Sequence, residues 1–150
     1  IDNDGNATKK IRIKYPQDLR LTQLKKIGND FYAVGTTIEY IDDLNTDGIL
    51  IKFNNDFKIA WEMRFKPDTL TEKHAIFTKP SEYVSTAEPR DFLVTDEETL
   101  ILTGYKSSDK ITDFWTANID IKNQKVRWES KINEYVGGDE AFQLRRKNQA

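Results

Sequence analysis

His74 is the only histidine of the chain, and there is no cysteine. Without a thiol or a second imidazole, thiol catalysis, disulfides and Cys- or His-built zinc sites are excluded by inventory. His74 itself reads as a surface-loop residue. Asp2-Asn3-Asp4-Gly5-Asn6 opens like a calcium loop. Calcium asks for about six or more oxygen ligands, including a carboxylate late in the loop. Thr8, Lys9, Lys10 and Arg12 follow instead, so a hairpin turn is the preferred reading. Asp42-Asp43 with Asp47, and Asp96 with Glu97-Glu98, are the residue types that glycosidases use in pairs. Such pairs work only at about 5–10 Å across a sugar, and linear spacing does not bring them there, so solvated loop charge is preferred. Asn6-Ala7-Thr8 matches an N-glycosylation acceptor, and Asp68-Thr69-Leu70 resembles a bacterial O-glycosylation acceptor. Both are three-residue patterns that arise often by chance. Nothing in the chain assembles a nucleophile, a base and an oxyanion donor. No metal, no cofactor and no catalytic residue is assigned, and a non-enzyme is the favoured reading.

The 150 residues are 37% hydrophobic, enough for one ordinary core. A net charge of −2, with both signs scattered, gives no footprint for nucleic acid and no basic patch for an anionic membrane. No apolar run has the length of a transmembrane helix. The chain opens at Ile1 in the middle of a pattern, so a fragment of a longer chain is expected.

Alternation with period two dominates and predicts strands. Ile59, Trp61, Met63 and Phe65 fall on one face of their segment, and Val126, Trp128 and Ile132 on one face of theirs. The pattern also repeats. Gly35 recurs as Gly104, Asp47 as Asp113, Phe53 as Ile119 and Trp61 as Trp128, a displacement of 66 to 69 residues. Each copy resolves into four strands, at 19–26, 31–37, 48–53 and 58–65, then at 91–95, 99–105, 113–121 and 125–132. Asn54-Asn55-Asp56, Lys122-Asn123-Gln124, Gly28-Asn29-Asp30 and Asp96-Glu97-Glu98 supply turns. A helical turn is a weak expectation at 70–78. Four antiparallel strands per repeat describe a β-propeller blade. The expected fold is therefore all-β, with about two complete blades plus flanking strands. Residues 1–15 end a preceding blade, 19–65 and 91–132 are blades, 66–90 is an inter-blade insertion and 137–150 begin a next blade. Trp61, Trp115 and Trp128 are read as inter-blade core in preference to a sugar-stacking platform. The recurring Asp47 and Asp113 are read as caps of the third strand.

Several segments carry a family resemblance. These are Gly137-Gly138-Asp139-Glu140-Ala141, Ala33-Val34-Gly35, Asp47-Gly48-Ile49-Leu50-Ile51-Lys52-Phe53 and Ile59-Ala60-Trp61-Glu62-Met63-Arg64-Phe65. The second copy contributes Leu102-Thr103-Gly104, Asp113-Phe114-Trp115 and Trp128-Glu129. Together they resemble the blade repeats of secreted and surface-associated bacterial propeller-like proteins. Phe57 and Lys125 depart from the pattern by replacing its turn glycine, and 66–90 has no counterpart in it. The resemblance implies an incomplete propeller, completed by blades of its own chain or of another. It implies an extracytoplasmic setting: bacterial surface, secreted or periplasmic.

The leading functional expectation is a non-catalytic module that binds a protein or a glycan. The alternative is the scaffold of a carbohydrate-active propeller enzyme whose catalytic residues lie outside this chain. Blade topology gathers the 38–47 and 106–112 links and the 66–90 insertion on one side. The expected binding residues there are His74, Phe77 and Tyr83 from the insertion, with Tyr40, Asp42, Asp43, Tyr105 and Lys106 beside them.

Overall fold

The computed structural model describes residues 13–38, 46–67, 85–96, 98–108 and 111–132. They form eight strands: β1 (Asp18–Ile27), β2 (Asp30–Ile38), β3 (Gly48–Phe53), β4 (Ile59–Phe65), β5 (Ser85–Val94), β6 (Thr99–Ser108), β7 (Ile111–Asp120) and β8 (Lys125–Ile132). Strands β1 to β4 make one antiparallel sheet in chain order, and β5 to β8 make a second in the same way. No helix is present among the described residues, so none there is long and apolar enough to cross a membrane. The all-β, two-sheet expectation matches. The helical turn at 70–78 and the segment 137–150 lie outside the described residues, as do all but 13–15 of the strand expected at 9–15; those three residues are not in a strand.

Local chemistry sets the turns. The Asn54 side chain accepts from the backbone N–H of Asp56 (3.0 Å) and of Lys58 (2.9 Å), closing the β3–β4 hairpin. Phe57 then sits at φ 60°, where glycine is usual, with its ring stacked on Phe31 at 4.4 Å. In the β7–β8 hairpin the Asp120 carboxylate accepts from the N–H of Asn123 at 2.8 Å. The left-handed residue there is Gln124, at φ 52°, rather than the expected Lys125, because it follows directly on the residue that Asp120 holds.

The two sheets share their irregularities, and this is firmer support for a repeat than the sequence landmarks. In the first sheet the β1–β2 register slips between Leu21 and Gln23, opposite Gly35; in the second, β5–β6 slips between Pro89 and Asp91, opposite Gly104. The β3–β4 ladder slips past Ala60, between the pairs Lys52–Trp61 and Phe53–Ile59. The β7–β8 ladder slips past Arg127, between Asn118–Trp128 and Ile119–Val126. These are β-bulges at equivalent places. They explain both glycines. A Cβ on Gly35 would lie 2.2 Å from the Arg20 carbonyl oxygen, and one on Gly104 would lie 2.1 Å from that of Glu88. The bulged edge strand occupies the space of a side chain.

The second bulge also corrects the expected start of the second copy. β5 begins at Ser85, so 85–90 belong to the sheet and not to an insertion. Pro89 concealed this. A proline argues against a central strand, yet β5 is an edge strand and Pro89 stands at its bulge, where the missing N–H costs no ladder bond.

The sheets stack face to face. Tyr32, Val34, Leu50 and Phe65 of the first meet Phe92, Leu100, Leu102, Trp115, Ala117 and Ile119 of the second in one buried cluster. Trp115 is fully buried, as expected, and meets Phe65 edge-on at 5.1 Å. Strand β5 lies across β1, β2 and β3. Polar links join it there, including one from Gln23 Nε2 to Asp91 Oδ1 at 3.4 Å. Thr46 N–H donates to Ser85 O (3.0 Å) and Ala87 N–H to Thr46 O (2.9 Å), an isolated parallel bridge. Thr22 Oγ1 donates to Pro89 O at 2.9 Å. Lys25 Nζ bonds both the Asp91 carboxylate and the Phe92 carbonyl. The opposite face of the first sheet holds a separate cluster, Ala33, Ile49, Ile51 and Phe53, with Tyr15, Leu19 and Phe31 against it.

Glycine substitutions discriminate these roles. Gly104→Ala is expected to lose about 3 kcal/mol or more, since backbone must move to admit the methyl. Gly28→Ala, at φ 60° with open space around its Cβ, should cost only about 1 kcal/mol. Gln124→Gly should gain about 1 kcal/mol by relieving its backbone conformation. Urea unfolding monitored by tryptophan fluorescence measures all three.

Candidate functional site

The register of the second sheet lays out the face turned away from the first. Ile101, Asn118 and Trp128 form one row across β6, β7 and β8; Thr103, Thr116 and Ser130 form the next; Tyr105, Phe114 and Ile132 form the third. In every row the β8 residue is the exposed one. Trp128 and Ile132 are each 47% exposed. This overturns the expectation that both recurring tryptophans are buried. Trp61 is half-buried, edge-on to Tyr32 at 6.1 Å, because the second sheet covers its face. The described residues put no such cover over Trp128.

The equivalent rows of the first sheet are Tyr32–Lys52–Trp61, Val34–Leu50–Met63 and Thr36–Gly48–Phe65. Comparison is informative. Val34, Leu50 and Met63 are replaced by Thr103, Thr116 and Ser130, so a row of hydroxyls crosses the second sheet where the first is aliphatic. The outer rows keep large apolar groups. A face that alternates aromatic rings with hydroxyl and amide groups can stack a planar or sugar surface while satisfying its polar groups. Among the described residues, the Asn118 Oδ1 atom on this face finds no hydrogen-bond partner.

Beside Tyr105 stand two residues that the sequence reading assigned to an insertion. Arg90, the extra residue of the β5 bulge, donates from Nη2 to Tyr105 Oη at 2.9 Å, and its guanidinium lies 4.9 Å from the ring. It also pairs with Glu88 at 3.2 Å. Burial, with the Glu88 side-chain hydrogen bond second, pushes the Tyr105 phenol up to about 12, against the lowering influence of Arg90. Tyr105 is thus a neutral phenol held in a fixed orientation.

Lys106, next in sequence, points to the packed face. It is buried, pairs with Glu129 at 3.0 Å and lies 4.7 Å from the Trp115 ring. Its charge is used internally. Of the expected binding residues only these two fall among the described ones. His74, Phe77, Tyr83, Tyr40, Asp42 and Asp43 lie outside them. Trp128, Arg90, Glu88 and Asn118 were missed. Period-two alternation from Ile101 through Thr103 to Tyr105 was the available signal for their shared face.

Among the candidate carboxylates, those that fall in the described residues, Asp47, Asp96 and Glu98, are occupied structurally, and Asp42, Asp43 and Glu97 lie outside them. Asp47 is buried and accepts from Lys66 at 2.7 Å, while its carbonyl accepts from Thr37 N–H at 2.9 Å. Its repeat mate Asp113 stands in register with Lys106. Asp96 accepts from Glu98 N–H at 2.8 Å, and Glu98 pairs with Lys122 at 3.0 Å. Among the described residues no three His, Asp or Glu side chains converge where a metal ion could sit.

No family model, curated protein or solved structure matches the chain.

Two titrations follow. Tyr105 keeps its folded-state pKa above its ordinary value of 10, so its contribution is complete below pH 10 and is lost as pH rises through about 12. Absorbance at the phenolate band, compared with Tyr105→Phe, should show one tyrosine ionising near pH 12. Asp120 shows the opposite sign. The side-chain amide of Asn123, then its backbone N–H, with Arg127 adding, lower it from 3.8 to about 2. Its contribution is present above pH 3.8 and fades as pH falls through about 2. Asp120→Asn should therefore flatten the acid limb of a pH–stability curve measured by urea unfolding.

Proposed function

We propose that the chain is a non-catalytic repeat module of the β-propeller type, whose second sheet presents a recognition face for a macromolecular partner, a protein or a glycan. The observation that carries this reading is the pairing of repetition with divergence. Both sheets have the same strand order, the same bulges and the same glycine at the first bulge. Yet the middle row, aliphatic in the first sheet, becomes hydroxyl-bearing in the second, and the β8 ends of all three rows there are exposed. A purely structural repeat has no need of that exchange.

Two sheets of four strands in chain order, packed face to face, are what neighbouring propeller blades look like. The parallel bridge from Thr46 to β5 ties the link before β3 to the first strand of the next sheet. The non-catalytic part of the reading draws on five of the described acidic side chains, Asp47, Glu88, Glu98, Asp120 and Glu129, which are engaged by Lys66, Arg90, Lys122, Arg127 and Lys106. The bacterial, extracytoplasmic setting draws on the blade-motif resemblance alone, and fold analogy is a weak warrant for function.

The test is binding with and without the exposed ring. In affinity electrophoresis through gels containing soluble polysaccharides, and in tryptophan-fluorescence titrations, Trp128→Ala is expected to weaken binding by about tenfold or more. The melting temperature should hardly move, since Trp128 contributes little to the core. Release of reducing sugar by the purified chain would overturn the non-catalytic assignment. Equal binding by Trp128→Ala would remove this face as the site.

A further inference from the structure

Strand β8 is the last strand of the second sheet, and every one of its residues is exposed. The stacking explains this. Strand β5 lies across β1, β2 and β3, and β7 meets β4 where Trp115 packs on Phe65. The second sheet is thus displaced sideways on the first, and β8 overhangs beyond β4. No described strand pairs with its outer side.

The hydrogen-bond phase of this edge follows from the ladder behind it. Ile121 N–H donates to Glu98 O at 2.8 Å, so alternation turns the N–H and C=O groups of Ile119, Ala117 and Trp115 toward β6. Those of Thr116 and Phe114 then turn toward β8, where they meet Ser130 and Ile132. The N–H and C=O groups of Glu129 and Lys131 therefore point outward, away from the sheet.

An edge kept clear of pairing carries bulges and unfavourable charges. The β8 bulge lies toward one end, at Arg127, and leaves Trp128 to Ile132 regular. Within that stretch the two charges are opposite, Glu129 and Lys131, and they flank Ser130. The stretch is complementary to itself. Laid antiparallel on a second copy with Ser130 opposite Ser130, it sets each Glu129 opposite a Lys131 and each Trp128 opposite an Ile132. Opposite charges and aromatic–β-branched pairs are favourable cross-strand partners. Neighbouring registers fail. Centring on Glu129 or on Lys131 places like charges opposite each other, and centring on Trp128 runs the pairing through the bulge. Strand β4 carries the same pattern, with Glu62 and Arg64 about Met63, but does not present it. Its Phe65 is buried against Trp115, and Glu62 and Arg64 are both tied to Tyr15.

We propose that two copies of the chain join edge to edge through β8, antiparallel about Ser130, so that their second sheets become one continuous sheet. In that contact Glu129 of each copy exchanges backbone hydrogen bonds with Lys131 of the other, and each Trp128 ring lies beside an Ile132 on the outer face. The overhang of β8 keeps the two first sheets apart. The contact is isologous, so assembly stops at a dimer. It is small, so the dimer is reversible and fills at high concentration. It uses the edge of the second sheet and goes beyond the recognition role of its face.

Sedimentation velocity from micromolar to millimolar concentration should show wild type passing from monomer to dimer and no further. Lys131→Glu, at an exposed position, should fold as judged by far-ultraviolet circular dichroism and stay monomeric, because carboxylates then oppose each other. Lys131→Pro removes an outward N–H without touching the β7 ladder, and should also stay monomeric. Register is read by cross-linking. The chain has no cysteine of its own, and the Ser130→Cys variant places two thiols opposite each other at a non-hydrogen-bonded pair, within disulfide reach. On mild oxidation it should form a covalent dimer about tenfold or more faster than Lys125→Cys, which is also exposed but lies beyond the bulge. Wild type monomeric throughout overturns the proposal. So do a Lys131→Glu variant that still dimerises, a dimer that grows into a longer series, and equal cross-linking rates at 130 and 125. Polysaccharide binding by the monomeric Lys131→Glu variant tests the recognition role separately, so the two readings fail independently.

Discussion

The burial of Trp115 and Phe92 against the first sheet is the interaction on which the rest depends. A four-stranded meander has two faces, and a lone sheet of this kind cannot cover both. Here the second sheet hides its larger apolar face, with Trp115, Phe92, Leu102 and Ile119 all out of solvent, only by resting on Tyr32, Val34, Leu50 and Phe65. Strand β5 makes that contact, and the Lys25–Asp91 pair and the Thr46 bridge fix where along the first sheet it lands. Asp91 is buried and also accepts from Phe92 N–H at 2.8 Å, so removing Lys25 would take away one of several partners of a buried carboxylate, at a cost in stability.

The bulges are the second constraint, and they link packing to the outer face of the second sheet. A bulge in β5 turns Arg90 outward, toward Tyr105, while keeping Phe92 inward. A bulge in β8, a strand exposed along its length, lets Arg127 reach Asp120 Oδ2 at 3.2 Å and Thr99 Oγ1 at 3.0 Å. The one extra residue in β5 thus lets a single edge serve the core on one side and polar chemistry on the other. Gly35 and Gly104 are the condition for it, because the bulged backbone passes where their side chains would be.

Much of this was legible in the sequence, because it follows from period-two alternation and from turn residues that act locally. Seven of the eight strands fall within a few residues of their expected places, and Trp115 was rightly assigned to the core. What could not be read depends on contacts between elements. Pro89 hid the start of β5, since only the sheet order shows that β5 is an edge. Trp128 resembled Trp61 in every local respect, and their difference in exposure comes from what lies across each sheet. Arg90 and Glu88 became partners of Tyr105 only once 85–90 was a strand. Lys106 was expected beside Tyr105 on a binding surface, but alternation sends adjacent strand residues to opposite faces.

The order of pairing has a consequence for synthesis. Every ladder joins strands that are neighbours in the chain, so each sheet closes its own hairpins as it emerges, without waiting for distant sequence. The first sheet is complete at Phe65, but the strands that cover Tyr32, Val34 and Leu50 end only at Asp120. At ribosomal speeds of about 5–20 residues per second, that face stands uncovered for several seconds in each round of translation. It is in this interval that a nascent chain has most to gain from a chaperone.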